Sequence, residues 1–207
     1  MTIRDIILDI GGVLEITPDP QMRGLIEKWG ERLHLQHGEL AERIESLGES
    51  GALGTCSEGE WLRNLRAAAG MNQTQCDDFM SDFWEEYLGK PNVELTEYIA
   101  TLRPHYKIAL LSNSFLGARE REQERYGFQD MTDLIIYSHE VGLAKPDKRI
   151  YQLTCDRLGL PPHDTLFLDD HQPNITAARE FGMKAILFGD TGKAIAEVRG
   201  HLQSPVA

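Results

Sequence analysis

The chain has 207 residues, 41% of them hydrophobic and 26% charged, with a formal net charge of -12 and a sequence pI of about 5.0. That length supports one sizeable core, or a core with a small attached lobe. So acidic a chain is a poor partner for a nucleic-acid backbone or an anionic membrane surface, although a local site can oppose the global charge and bind a small anion.

No apolar stretch approaches the ~20 residues of a membrane span. MTIRDIILD has no basic region ahead of a long apolar segment, so no signal peptide is expected. Cys56, Cys76 and Cys155 are odd in number and lack C-x-x-C spacing. Free thiols in a reducing cytoplasm are therefore expected, rather than a disulfide framework or a zinc site.

The first strand is predicted in RDIILDIGGVLEI, where the apolar run Ile6, Ile7 and Leu8 ends on Asp9, with Gly11 and Gly12 just beyond. From 20 to 89 the pattern is helical. Met22, Leu25, Ile26, Trp29 and Leu33 repeat at helix spacing, as do Leu40, Ile44 and Leu47. GESGALGT, residues 48–55, reads as a flexible loop, either a specificity loop or a connector. Ser57 and Glu60 open the next helix as a capping box, and Gly70 closes it. Cys76, Phe79, Met80, Phe83 and Tyr87 form a further stripe. Trp29, Trp61, Phe83 and Trp84 are expected in the core of this lobe, with one or two at a pocket roof. No strand is predicted inside the block.

From Asn92 onward, helices alternate with short apolar strands. A helix is predicted near 95–102, then the strand KIALLS, then a polar helix over 117–126 whose charges read as a solvated face. DLIIYS follows as a strand, then a helix capped by Asp147 and closed by Gly159, then the strand TLFLDD. Pro173 and Asn174 start a helix closed by Gly182. KAILF and a helix over about 192–201 complete the chain. Short continuous apolar strands separated by helices imply a Rossmann-like, doubly wound α/β fold with a parallel sheet covered on both faces. The expected organisation is an α/β core of residues 1–14 and 90–207, with 15–89 inserted as a helical lobe.

Ligands of open parallel sheets bind beyond the carboxyl ends of the strands. There this sequence places Asp9, then Ser112 and Asn113, then Asp169 and Asp170, with Lys145 in SHEVGLAKP after the third core strand. Two or three carboxylates and a backbone carbonyl suit Mg²⁺. Adjacent aspartates repel unless a cation offsets them. A carboxylate beside such a metal can attack phosphorus and form an aspartyl-phosphate. Ser112 and the amide of Asn113 can bind phosphoryl oxygens, Lys145 can neutralise the transferring group, and the glycines allow close backbone approach.

LDIGGVL, LLSNS, GLAKP and FLDDHQPN, in that order, resemble the four motifs of the haloacid dehalogenase-like (HAD) hydrolase superfamily. The second half is similar to the phosphatase domain of soluble epoxide hydrolase and to bacterial sugar-1-phosphate phosphatases of the same branch. The resemblance implies that 15–89 is a helical cap of the C1 subtype. It implies Asp9 as nucleophile and Mg²⁺ ligand, the Gly11 carbonyl and Asp170 as further ligands, and Asp169 as a ligand through water or a holder of the metal shell. Ser112, Asn113, Gly11 and Gly12 would bind the phosphoryl group, Lys145 would pair with it, and Asn174 would orient the last loop or Lys145.

Most phosphatases of this family carry a second Asp two residues after the nucleophile, where this chain has Gly11. That Asp protonates the leaving oxygen, help typically worth ~10²–10⁴-fold. The expected activity is therefore Mg²⁺-dependent hydrolysis of small phosphomonoesters, selective for good leaving groups such as sugar 1-phosphates, with His171 or water supplying the proton. The alternatives are a 2-haloacid dehalogenase and a weakly catalytic phosphate-binding or regulatory module. The expected partner is a small phosphorylated metabolite, with no nucleic acid and no membrane; the chain is expected to be a cytoplasmic monomer or homodimer.

Overall fold

The computed structural model describes residues 3–203 except Pro18 and Pro20. Strand β1 (Asp5–Leu8) is fully buried and leads through a tight turn into the short β2 (Glu15–Ile16). Four helices follow: α1 (Arg23–Arg32), α2 (Glu39–Glu45), α3 (Glu58–Ala69) and α4 (Gln73–Tyr87). Strand β3 (Lys90–Pro91) then pairs antiparallel with β2, so this two-stranded ribbon carries the chain into the helical block and back. The ribbon was not legible in the sequence, because two-residue strands have no measurable period.

The rest of the chain alternates as expected. Helix α5 (Val93–Leu102) leads to β4 (Lys107–Ser112), α6 (Ala118–Tyr126), the single turn α7 (Phe128–Met131) and β5 (Leu134–Tyr137). Then come the short α8 (Ser138–Val141), α9 (Lys148–Leu158), β6 (Thr165–Asp169), α10 (Gln172–Phe181), β7 (Lys184–Leu187) and α11 (Thr191–Gln203). Asp147 caps α9 by accepting from the Arg149 N–H, and Gly159 ends it in the left-handed conformation.

The five core strands form a parallel sheet in the order β5-β4-β1-β6-β7. Strand β1 is central, and the order reverses there, which opens a crevice at its carboxyl end. Alternate residues face opposite layers. Ile6, Leu8, Leu110 and Leu166 pack with Leu95, Ile99 and Val198 from α5 and α11. Ile7, Ala109, Leu111 and Phe167 pack with Ile150, Tyr151 and Ile175 from α9 and α10. Burial on both faces is why these strands read as continuous apolar runs.

The helical block has its own apolar cluster, built on Trp29, Leu40, Trp61, Leu65, Phe79 and Trp84. The core reaches into it: Phe115, from the loop after β4, stacks edge-on against Trp61 with ring centroids 4.7 Å apart. The loop over 48–55 is not free. The Gly51 carbonyl accepts from the Leu116 N–H at 3.2 Å, and the Ala52 carbonyl accepts from Ser138 Oγ at 2.8 Å. The α6 charges are only in part a solvated face: Glu120, Glu124 and Arg125 are exposed, and others turn inward. Glu122 is fully buried and accepts from the Tyr137 hydroxyl at 2.6 Å, while Arg121 lies over Trp84 and pairs with Glu58. On the side of α6 that meets the sheet and the block, the charged side chains find partners there.

Candidate active site

Register brings the first two carboxylates together. Leu8 lies opposite Leu168 in the β1–β6 pairing, and the Asp9 N–H donates to the Leu168 carbonyl at 2.9 Å. The next residues on the two strands are Asp9 and Asp169, side by side at the carboxyl edge. Lys145 joins them: Nζ lies 2.7 Å from Asp9 Oδ1 and 2.7 Å from Asp169 Oδ2, and its side chain is 1% exposed.

Asp169 is saturated. Its Oδ1 accepts from the His171 N–H at 2.8 Å and from Asn174 Nδ2 at 3.0 Å, and Oδ2 accepts from Asn174 and Lys145. Asn174 thus fixes Asp169 directly. Asp9 differs. Its Oδ1 takes the Lys145 ammonium and the Ile10 N–H at 2.8 Å, while Oδ2 makes no such bond among the described residues. Burial pushes Asp9 well above the ordinary carboxylate range; Lys145 pulls it down and Asp169 adds to the rise. Burial also opposes ionisation of Asp169, but Lys145 and the His171 N–H outweigh it and hold that group below its usual value. Asp170, exposed, is raised by burial of its carboxyl and by Asp169.

Asn113 is a clamp. Its side-chain amide donates to the Lys145 carbonyl and its carbonyl oxygen accepts from the Lys145 N–H, both at 2.8 Å. This reciprocal pair ties the β4 loop to the backbone that carries the lysine, a function the sequence reading did not foresee. Ser112 is buried beside it at the end of β4.

The two glycines differ sharply. Gly12 has φ +77, and a Cβ there would sit 2.1 Å from Asp170 Oδ2, so only glycine lets that carboxylate pass. Its N–H donates to the Glu15 carbonyl at 2.8 Å. The expectation that both glycines present N–H groups to a ligand is corrected for Gly12, which supplies room instead. Gly11 faces open space, with no heavy atom within 4 Å of an added Cβ.

One oxygen each from Asp9, Asp169 and Asp170 lie within 4.8 Å of one another. Three convergent carboxylates, with Gly12 leaving room for the third, form a hard-oxygen donor set that fits a divalent cation such as Mg²⁺. The Gly11 carbonyl adjoins it in sequence.

Asp9, Gly11, Gly12 and Asp170 line a cavity of about 400 Å³ together with Ser112, Asn113, His171 and Asn174, and Lys145 and Asp169 are buried behind them. Its other walls are Glu15, Thr17, Asp19, Met22, Glu86 and Tyr87. Glu15 is pushed up to about 9 by burial, with Glu122 and Asp9 adding to the rise. The sequence reading assigned none of these a role; the available signal was Glu15 itself, an acid inside the apolar run Val13, Leu14 and Ile16. Trp61 and Phe83 instead line a neighbouring apolar cavity of about 290 Å³, which shares Met22 with the first.

The chain is 27% identical over 216 residues to pig (Sus scrofa) bifunctional epoxide hydrolase 2, covering 96% of this chain and 38% of the relative. It is 26% identical to mouse (Mus musculus) acyl-CoA dehydrogenase family member 10, again over most of this chain (98%) but 19% of the relative. The chain thus spans well under half the length of these two. It is 25% identical to D-ribitol-5-phosphate phosphatase of Bacteroides thetaiotaomicron over 88% of this chain and 90% of that one. Among solved structures, a HAD family enzyme of Bacteroides thetaiotaomicron in a magnesium complex superposes with a TM-score of 0.79 at 20% identity, covering 96% of this chain and 99% of that one. A 2-haloacid dehalogenase from Pseudomonas syringae superposes at 0.68 with 18% identity, covering 90% and 86%. These two structures share the fold. The sequence profile of haloacid dehalogenase-like hydrolases matches residues 3–182, and the chain belongs to that family of hydrolases.

Proposed function

We propose that the protein is a Mg²⁺-dependent hydrolase of small phosphomonoesters that works through an aspartyl-phosphate on Asp9. The observation that carries this reading is the buried Lys145 ammonium, 2.7 Å from both Asp169 and Asp9, the latter a lining residue of the cavity. In this reading Asp9, the Gly11 carbonyl and Asp170 hold the metal directly, and Asp169 supports its shell. Bound there, Mg²⁺ would neutralise charge on the phosphoryl group and screen the carboxylates from one another.

Asp9 Oδ1 is held by two donors, and Oδ2 is the oxygen left to form the bond to phosphorus as the ester oxygen–phosphorus bond breaks. Lys145 offsets charge on the nucleophile and on the transferring group. Ser112 and the backbone N–H of Asn113 steady the phosphoryl oxygens, and the Asn113 side chain keeps Lys145 in place. Water then attacks phosphorus, breaks its bond to Asp9 and releases inorganic phosphate. Because Gly11 offers no acid, the departing oxygen takes its proton from water or from His171 at the cavity wall. Good leaving groups are thus favoured, among them sugar 1-phosphates.

The helical block, 15–89, acts as a cap over a core of 1–14 and 90–207. The resemblance to D-ribitol-5-phosphate phosphatase supports a small phosphorylated metabolite as substrate. No helix among the described residues is long and apolar enough to cross a membrane. The free cysteines support a cytoplasmic setting, as a monomer or homodimer. The aspartate pair in the last motif weighs against a dehalogenase, whose halide leaves without metal.

The test is hydrolysis of p-nitrophenyl phosphate with Mg²⁺, without it and with EDTA. Metal-dependent turnover that Asp9→Asn abolishes while leaving the circular dichroism spectrum intact is expected. Undiminished turnover by Asp9→Asn refutes the mechanism.

A further inference from the structure

Asp9, Gly11, Gly12, Ser112, Asn113 and Asp170 form the catalytic side of the 400 Å³ cavity. The alcohol of a bound ester must contact its remaining walls, among them Glu15, Thr17, Asp19, Met22, Glu86 and Tyr87. Three of these six are acids, and none is a lysine or arginine.

The acids are not equivalent. Asp19 is engaged, because its Oδ2 accepts from the Gly24 N–H at 2.9 Å and starts α1. Glu86, half-buried near the end of α4, makes no side-chain hydrogen bond or ion pair among the described residues. Glu15 is only 3% exposed, and its Oε2 has no hydrogen-bond partner among the described residues. A buried carboxyl oxygen without a partner is costly, and a donor brought by a ligand removes that cost. The cavity wall therefore holds two carboxyl groups with unused acceptor capacity, one of them sealed from solvent.

We infer that this wall selects the alcohol of the substrate: it carries hydrogen-bond donors, hydroxyl or ammonium, that Glu86 and Glu15 accept, and it carries no second anionic group. The inference rests on the phosphomonoesterase reading and adds the chemical class of the leaving group to it. The physical basis is asymmetry. Lys145, buried behind Asp9, and the carboxylates that would hold Mg²⁺ lie on the catalytic side. A second phosphate or a carboxylate on the alcohol would face Glu86 with no lysine or arginine on that wall to offset it. A hydroxyl or ammonium there meets a free acceptor. Glu86 carries the charge discrimination, and Glu15 supplies a hydrogen bond inside the wall.

Three aryl phosphates test this: phenyl phosphate bearing a para hydroxymethyl, aminomethyl or carboxylate group. Each has a phenol as leaving group, so none depends on the acid missing at Gly11. For the unmodified enzyme, kcat/KM for the carboxylate is expected at least ~10-fold below that for the hydroxymethyl compound, the difference lying mainly in KM. Glu86→Lys is expected to shrink or reverse that ratio, and Glu86→Gln to move it part way. Glu15→Met, which removes the acceptor, is expected to raise KM for the hydroxymethyl compound more than for the unsubstituted ester. The aminomethyl arm separates ammonium from hydroxyl preference, either of which fits the wall. Equal use of carboxylate and hydroxymethyl compounds by the unmodified enzyme overturns the inference. So does a Glu86→Lys protein that turns over phenyl phosphate with the original ratio. If the unmodified enzyme hydrolyses none of the aryl phosphates, the phosphomonoesterase reading itself fails, and the two failures are thereby told apart.

Discussion

Replacing Lys145 with methionine should expose how much of the fold hangs on one ammonium. The side chain is 1% exposed, and its partners Asp169 and Asp9 have side-chain exposures of 0% and 11%. Methionine fills most of the same volume, so packing loss is small and the charge is the variable. Truncating one member of a buried ion pair typically costs ~3–5 kcal/mol, because the other charge stays buried without compensation. Here two carboxylates are left, so the upper end applies, a large share of the ~5–15 kcal/mol that holds a domain together. The cost should depend on pH. Without the lysine, both buried acids favour their protonated forms, and their folded pKa values lie above the unfolded ones. Stability is then greatest at low pH and falls as pH rises through those folded values. Excess Mg²⁺ should recover part of the loss, since a ligand at ~100 times its dissociation constant adds about 2.7 kcal/mol. Urea unfolding of Lys145→Met at acidic and mildly alkaline pH, with and without Mg²⁺, measures all three effects. A metal-free loss under ~1 kcal/mol at alkaline pH, or a loss that ignores pH, refutes the electrostatic account.

Gly12→Ala should push Asp170 aside, because its Cβ would lie 2.1 Å from Oδ2 on a backbone at φ +77; calorimetric Mg²⁺ affinity should fall by at least ~10-fold, while Gly11→Ala leaves it unchanged. Gly11→Asp has open space for its side chain and should raise kcat/KM for alkyl phosphates relative to p-nitrophenyl phosphate by ~10²-fold or more; an unchanged ratio in a folded variant counts against the missing-acid explanation of selectivity. Asp5 is buried and its carboxyl is pushed up to about 6, burial being the largest cause, with one oxygen lacking a partner. The folded state therefore holds that proton more tightly than the unfolded chain. The contribution is fully present below about pH 4 and lost as pH rises through about 6. Asp5→Asn should accordingly stabilise the protein near neutral pH by up to ~3 kcal/mol and change little at about pH 4, as read from urea midpoints.

The core was legible because its strands are buried on both faces. KIALLS is recovered residue for residue as β4, and Asp9, Lys145 and Asp169 meet where parallel-sheet topology requires. What escaped has physical reasons. The β2–β3 ribbon is too short to show alternation. The α6 run reads as solvated charge because composition cannot tell an outward glutamate from one, like Glu122, that turns inward to a tyrosine hydroxyl. The Asn113 clamp on Lys145 spans 32 positions and leaves no local pattern. The cavity walls come from the ribbon and from both ends of the helical block, so only folding collects Glu15, Met22 and Glu86 in one place.

Alongside the Phe115–Trp61 stacking and the Arg121–Glu58 pair, the helical block docks on the core through its own backbone carbonyls. The Gly51 and Ala52 carbonyls accept the bonds, and a side chain on Gly54 would lie 1.7 Å from the His139 carbonyl oxygen. This part of the seam is therefore encoded in the block by main chain and by the absence of a side chain at Gly54. Wall residues such as Met22 and Glu86 take no part in these contacts and can change without undoing them. A protein assembled this way can exchange the alcohol it recognises by a handful of substitutions, while the chemistry beneath stays fixed.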